Sequence, residues 1–520
     1  MRLKTAVIDI GSNTIRLVIY DYEVNKGMKE VENIKTVARL RGYLTPTNEM
    51  REEGIQLLIT TLEGFKEIIE HHKITDLRIA ATAAIRQAAN SHEIIQRVRI
   101  KTNFEISILT EEEEAYYGFL AVVHSTPVLS GITIDMGGGS TEITYFEQKQ
   151  LKYSHSFPFG VVSLKKEFMK NEVLTALERA ELTEFLNDQF RSLPWLENKK
   201  VPIVAIGGSA RNIAQIDQQL KAYPIAGVHQ YWMSKESLFS LRNQIIDMDY
   251  NDLEKLEGLS NDRIDIIAPA SQVFCQLFDT VQATGFLFSR KGLRDGLVLK
   301  ELMNQLDAPL NKEHVFQNSL KELFFDYSIT KQNAEQIKFI AEQLYYKLTE
   351  NGVLAYSHED LELLKKASCL YYLGEYIDSD SSSEHTFYIL ANRSIDGVLH
   401  EDRVKIAAIA SFKSKSAMQQ YLRPFDKWFT KEEIQSLREL GALLKFAYSL
   451  NGSKRNIIKK IEINNHLQEL EIILYAAGNT LAEENQAEKQ KKHLAKAVKQ
   501  PISLTFIQLR KDLHTIKTLS

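Results

Sequence analysis

The chain has 520 residues, more than one hydrophobic core usually organises, so about three domains or more are expected. With 44% apolar and 25% charged residues it is ordinary for a globular protein, and a net charge of −4 argues against nucleic acid or an anionic membrane as a bulk partner. Cys275 and Cys369 lie far apart in apolar surroundings, which excludes a disulfide framework or zinc site and reads as buried thiols in a reducing compartment. No apolar run is long enough to span a bilayer, and Asp9 and Arg16 interrupt the first apolar region where a signal peptide would need none. A soluble, cytoplasmic protein is expected.

In chain order, AVIDI and IRLVIY read as strands. Met50 to His72 reads as a helix, with Ile55, Leu58, Ile59, Leu62, Phe65 and Ile69 on one face. LRIAAT and FEISIL are further strands, and Thr110 should cap a helix that begins EEEEAYYGF. The pattern then restarts: strand GITIDM, hairpin arm TEITYF, strand LKYSHSF, helices, strand VPIVAIGG and more helices. Two similar openings suggest two related α/β halves, 1–123 and 124–300. Helical periodicity dominates 301–445, and 446–520 is a small lysine-rich region with some strand character (PISLTFIQL). Asp378–Glu384, DSDSSSE, reads as an exposed loop, and Glu488–Lys499 as a charged helix face.

The chemistry concentrates in two turns, DIGSNTIRL and TIDMGGGSTEITYF. A tight turn between strands presents backbone N–H groups; glycine allows close approach, and small hydroxyls add donors, which suits phosphate. Asp9 and Asp135 sit at strand ends just before the turns, where carboxylates can hold Mg²⁺ through its waters. Either turn alone could be an ordinary hairpin. As a matched pair, each preceded by aspartate, they read as the halves of a phosphate clamp: Gly11, Ser12 and Asn13 facing Gly137, Gly138, Gly139 and Ser140.

These stretches resemble the phosphate loops of the exopolyphosphatase / guanosine pentaphosphate phosphatase family. TAAIR (Thr82–Arg86), ILTEEEEAYYG (Ile108–Gly118), Arg263-Ile264-Asp265 and GLRDG (Gly292–Gly296) are similar to further motifs of that family, and the resemblance covers about residues 1–300 best. It implies two ribonuclease-H-like α/β domains of the actin and sugar-kinase superfamily, then a mainly α-helical, HD-like C-terminal domain with a small α+β tail. It implies hydrolysis of terminal phosphoanhydride bonds of inorganic polyphosphate with Mg²⁺, K⁺ as a further stimulant, and a homodimer.

By the same resemblance Glu114 is expected to activate water, and Arg86 to contact a phosphoryl oxygen. Mutual repulsion among the four carboxylates from Glu111 to Glu114 can raise the proton affinity of an inward-facing one. Glu111 and Glu112 otherwise complement the helix dipole, and Glu113 is the neighbour most easily confused with the base. Glu142 is expected to join Asp9 and Asp135 near the metal. Gly207-Gly208-Ser209 either lines the cleft or forms a tight strand–helix turn. Lys413, Lys415, Lys454, Arg455, Lys459 and Lys460 could line a basic channel or be ordinary surface cations.

The C-terminal part departs from the family pattern. Tyr371 and Tyr372 stand where metal-ligating His-Asp would, and His385 alone is not a site. No second active site is expected there. The motifs do not separate polyphosphate from guanosine pentaphosphate as substrate, and a non-catalytic sensor of polyphosphate or guanosine tetraphosphate is the remaining reading. A superfamily kinase is disfavoured by the Glu-Glu-Ala helix and the absence of a clear adenosine segment.

Overall fold

The computed structural model describes residues 2–23, 26–171, 173–305, 312–466 and 469–509. These form two compact units: Met1–Glu322 with Asp396–Leu399, and Leu323–Ile395 with His400–Ser520.

In the first unit β1 (Arg2–Ile10), β2 (Thr14–Glu23) and β3 (Gly27–Val37) form an antiparallel meander, and β4 (Asp76–Ala81) and β5 (Ser107–Ile108) extend it parallel to β1, in the order β3-β2-β1-β4-β5. The second sheet repeats the plan. β6 (Gly131–Met136), β7 (Thr141–Glu147) and β8 (Gln150–Phe157) are the meander. β9 (Ile203–Ile206) and β11 (Phe286–Phe288) run parallel to β6, and β10 (Trp232–Met233) closes the edge antiparallel. The repeated openings therefore carry two sheets of one design.

Period-two alternation sets the layers. Ala6, Ile8 and Ile10 of β1 pack with Leu58, Leu62 and Phe65 of the helix Glu52–His71, which buries the apolar face expected from sequence. Val7 points to the other face and joins Val18, Tyr20, Val298 and Leu302. Val298 and Leu302 belong to the helix Leu293–Gln305, so a helix late in the chain covers the first sheet. Conversely Phe119, Val122 and Val123 of the helix Glu111–Val123 pack on Phe146, Val204 and Leu287 of the second sheet. The two halves thus exchange helices, and boundaries at 123 and 300 do not coincide with the packing.

β3, β10, β11 and, in the second unit, Ile458–Asn465 and Leu470–Ala476 are strands that escaped the sequence reading. β3 is an edge strand whose residues alternate between half-buried and exposed, so its charged face masks the period. β11 is three buried residues flanked by glycine and serine, too short to signal. FEISIL contributes only the two residues of β5.

The second unit is mainly helical, from Lys331–Glu350 to Lys431–Ser449, and ends in a sheet of β12 (Ile458–Asn465), β13 (Leu470–Ala476) and β14 (Ile502–Gln508) with the helix Leu481–Val498. The expected loop 378–384 is only half a loop. Asp378 accepts from the amides of Asp380 and Ser381, but Ser382 starts a helix, and Ser382 and Ser383 are buried. Tyr371 and Tyr372 stack at 4.3 Å between centroids, and both hydroxyls donate to the Phe412 carbonyl. Both cysteines are free; Cys275 is buried and Cys369 half-buried. Arg455 pairs with Glu483 at 2.6 Å and Lys460 with Glu462 at 2.6 Å, which commits these two cations to local partners. No described helix is long and apolar enough to cross a membrane.

Candidate active site

The two glycine turns close equivalent hairpins. Asp9 pairs with Arg16 and Ile10 with Ile15 across β1 and β2, and Gly11 N–H donates to the Thr14 carbonyl at 3.0 Å. Asp135 pairs with Glu142 and Met136 with Thr141 across β6 and β7, and Gly137 N–H donates to the Ser140 carbonyl at 3.0 Å. The turn carbonyls are bonded from outside. Asn13 O accepts from Ala38 and Arg39, and Ser12 O from Arg41. Gly137 O accepts from Val161, and Gly138 O from Val162 and Ser163. The amides of Ser12, Asn13 and Gly138 donate to no backbone carbonyl among the described residues. Such turns suit an anion.

One cleft takes in Asp9, Gly11, Ser12, Asn13, Glu114, Asp135, Gly137, Gly138, Ser140, Glu142, Gly207 and Gly208. Two expected members stand elsewhere. Gly139 lies under the guanidinium of Arg41, which fills the space a Cβ would take. Ser209 is buried and accepts from Arg263 Nη1 at 3.2 Å. The third glycine turn therefore does both things expected of it. Gly207, at φ +90°, brings backbone within contact of the Asp135 carboxylate, and Gly208 yields room to Arg263.

Glu114 stands in the first turn of its helix, whose cap settles the neighbouring assignment. Thr110 Oγ1 accepts from Glu113 N–H at 3.1 Å, and the Glu113 carboxylate accepts from Thr110 N–H at 2.8 Å. Glu113 is thus spent on the capping box and exposed, whereas the Glu114 side chain is only 10% exposed. Burial pushes the Glu114 carboxyl up to about 7; Arg86 opposes this, and the charges of Asp135 and Asp9 add to it. The other glutamates of the run are not the cause, contrary to the sequence expectation. Glu112 is exposed, Glu113 is held by the Thr110 amide, and Glu111 lies 3.6 Å from Arg86 Nη2.

Arg86 also differs from expectation. Its guanidinium bonds Glu114 and donates to the Leu109 carbonyl at 2.8 Å, so it holds the carboxylate rather than lining the cleft. Its position follows from the strand end: Thr82 bonds the Ile10 carbonyl and starts a single helical turn that ends at Arg86.

Four carboxylates share the cleft. Asp9 pairs with Arg294 at 2.9 Å. Burial, then the charge of Asp9, lifts Asp135 to about 6, against Arg294 and Arg263. Burial, Glu114 and Asp135 push Glu142 well up, although Ser156 donates to it at 2.9 Å. Among the described residues no three His, Cys, Asp or Glu side chains are grouped to hold an ion directly. The donor set, mutually repelling carboxylates between two glycine turns, fits a hard divalent cation that keeps several waters.

Opposing these acids, Arg16, Arg211, Arg263, Arg290 and Arg294 line the same cleft. Burial, Arg294 and Arg211 bring Arg16 down to about 10, and burial with Arg294, Arg263 and Arg290 lowers Arg211. Arg16 lies inside DIGSNTIRL but is not singled out there as a site residue, and Arg211 and Arg290 belong to no motif singled out from sequence. Arg211 follows the third glycine turn by three residues and Arg290 follows β11 by two, and those offsets were the available signals.

Two sheets of one design, each offering a glycine turn to a shared cleft, define an actin-like α/β protein. Residues 18–305 match the Ppx/GppA phosphatase family and residues 315–492 its domain III, so the chain belongs to that family and is a phosphohydrolase. A guanosine-5'-triphosphate,3'-diphosphate pyrophosphatase of Aeromonas hydrophila is 23% identical over 453 residues, 86% of this chain and 87% of that one. Among solved structures, the Aquifex aeolicus member of the Ppx/GppA family matches with a TM-score of 0.54 at 24% identity, over 59% of this chain and 100% of that one. An exopolyphosphatase from Cytophaga hutchinsonii matches with a TM-score of 0.54 at 21% identity, over 58% and 98%. The structural likenesses concern the fold.

Proposed function

We propose that this protein is an exopolyphosphatase that releases orthophosphate from the end of inorganic polyphosphate. The observation that carries this reading is the arginine cluster in the same cleft as Glu114. Five guanidinium groups converge on one cleft, and the charges of neighbouring arginines lower the proton affinity of Arg16 and Arg211, an arrangement suited to a dense polyanion. The cleft offers no base-stacking platform among its described residues: its one aromatic, Phe288, is 1% exposed.

In this reading Ser12, Asn13, Gly138 and Ser140 hold the non-bridging oxygens of the terminal phosphate. Glu114 accepts a proton from water as the water oxygen bonds the terminal phosphorus. The bond from that phosphorus to the bridging oxygen breaks, and the shortened chain leaves. A carboxylate with a raised proton affinity suits this work near neutral pH. Asp9 and Asp135, with Glu142 behind them, would hold Mg²⁺, which neutralises charge on the phosphates when bound.

A second reading, removal of the terminal phosphate of guanosine pentaphosphate, is favoured by the relative of that name, which aligns with most of this chain. Phosphate release with Mg²⁺ from long-chain polyphosphate and guanosine pentaphosphate, measured in parallel for wild type and Glu114→Gln, tests both. Preferential, Glu114-dependent release from polyphosphate is expected. Preference for the nucleotide would replace the first reading with the second.

A further inference from the structure

The cleft is not the only basic cavity of the first unit. A second pocket is lined by Arg39, Arg41, Lys165 and Lys166 with Asp262 and Asp265, and it shares Ser12 and Asn13 with the cleft. The first phosphate turn is thus a common wall. The turn that sends Arg263 into the cleft places Asp262 and Asp265 on the pocket side.

Its acids are already matched. Asp262 pairs with Lys35 at 2.8 Å, and Asp265 with Lys165 at 2.8 Å. Arg41 donates to the neutral Gln87 at 2.7 Å, and neither Arg39 nor Lys166 has a carboxylate partner among the described residues. Three cations therefore have no counterion of their own. Arg39 also holds φ 47°, a left-handed conformation that arginine rarely adopts. In the shared wall the amide nitrogen of Asn13 is buried with no hydrogen-bond partner, an orphan donor of the kind that marks a missing ligand.

We propose that this pocket is a second phosphate subsite, which takes an oligophosphate segment remote from the scissile bond. The proposal rests on the exopolyphosphatase reading. A chain whose end lies between the glycine turns and which leaves the cleft over Asn13 passes the Lys35–Asp262 bridge and meets Arg39, Arg41 and Lys166. A short chain stays within the cleft. The pocket therefore selects for chain length, not for the phosphoanhydride bond.

Direct titration of Glu114→Gln protein with tripolyphosphate and with long-chain polyphosphate tests this, with and without the added pair Arg39→Asn and Lys166→Gln. Both positions are exposed, and asparagine tolerates the left-handed backbone at 39. The pair is expected to weaken long-chain binding about tenfold and to leave tripolyphosphate within about twofold. Unchanged long-chain affinity overturns the subsite, and so does an equal loss for both ligands, which would make the pocket part of the general field. Phosphate release by wild type is measured separately. If there is none from polyphosphate, the exopolyphosphatase reading falls, while the titration still decides whether the pocket binds the chain.

Discussion

The first glycine turn rests on the chain that follows β3, whose amides at Ala38, Arg39 and Arg41 bond its carbonyls; the second rests on the start of the helix Val161–Phe168. The strand pairing is the same in both, with an aspartate one residue before the strand end. The electrostatics differ. Asp9 has Arg294 at 2.9 Å, whereas Asp135 has no ion pair among the described residues and is pushed up to about 6 by burial and then by Asp9. A repeated motif thus fixes the backbone of the two turns, and its unrepeated surroundings fix charge and rigidity. Glu114 belongs to both halves, because it rides on a helix packed against the second sheet while Arg86 holds it from just past the end of β4.

The largest effect should come from that shared residue. Glu114→Gln is expected to lower kcat by about 10³-fold, in the range typical for a general base. Glu113→Gln should leave kcat within about threefold and stability within about 0.5 kcal/mol, because glutamine completes the same capping box. Steady-state phosphate release and thermal unfolding of both variants check this. Comparable kinetic losses at 113 and 114 would show that the buried position of Glu114 does not single it out.

The unequal supports of the two turns predict unequal tolerance to a methyl group. At Gly160 a Cβ would come 2.6 Å from both Gly138 C and Gly139 N, backbone atoms that cannot step aside without moving the turn. At Gly11 the nearest neighbour would be Thr14 O at 3.0 Å. Gly160→Ala should lower kcat/KM about 100-fold and Gly11→Ala about tenfold or less, since misplacing bound groups by an ångström costs on that order. The reverse ranking would make the first turn the rigid one.

Gly160 also shows what sequence could and could not reveal. The turns, their aspartates and the cap at Thr110 are local patterns, so strand alternation and the place of Thr110 just before the helix EEEEAYYGF exposed them. Gly160, Arg41, Arg211 and Arg290 act through contacts that chain order does not bring together. Arg41 lies on Gly139 and donates to Gln87, yet nothing in LRGY suggests a clamp. The exchange of Glu111–Val123 and Leu293–Gln305 between the sheets was hidden for the same reason. Each helix has the apolar face that either sheet would accept. The motif around Arg86 points to a phosphoryl oxygen and does not show its bond to the nearly buried Glu114, which the fold brings to it from 28 residues away.

A smaller effect separates Arg86 from the cleft arginines. Glu114 must be ionised to accept a proton, so activity should rise with pH through about 7. Arg86 lowers the proton affinity of Glu114, so Arg86→Ala removes a stabiliser of the carboxylate and should move the acid limb of kcat/KM upward by about one pH unit. Arg211→Ala should raise KM for polyphosphate and leave the limb in place. An unmoved limb in Arg86→Ala would mean that the limb does not report Glu114.

The two aspartates should give the smallest effects, and of opposite sign. Asp135 has its proton affinity raised in the folded state, to about 6 from an ordinary 3.8. Its ionised form therefore costs stability above pH 6, and the cost fades as pH falls toward 4. In metal-free protein at pH 8, Asp135→Asn should raise stability by about 1 kcal/mol, a figure reduced from the full shift because the residue is only partly buried. At pH 4 the gain should vanish. Asp9→Asn deprives Arg294 of its carboxylate and should lower stability at pH 8 by about 1 kcal/mol or more. Saturating Mg²⁺ should reverse the sign at 135, because wild type then gains binding energy that the amide cannot supply. Unfolding curves at the two pH values, with and without Mg²⁺, check all of these. Equal destabilisation by both variants in metal-free protein would mean that Asp135 is as well compensated as Asp9, and that the asymmetry between the two halves is confined to their backbone supports.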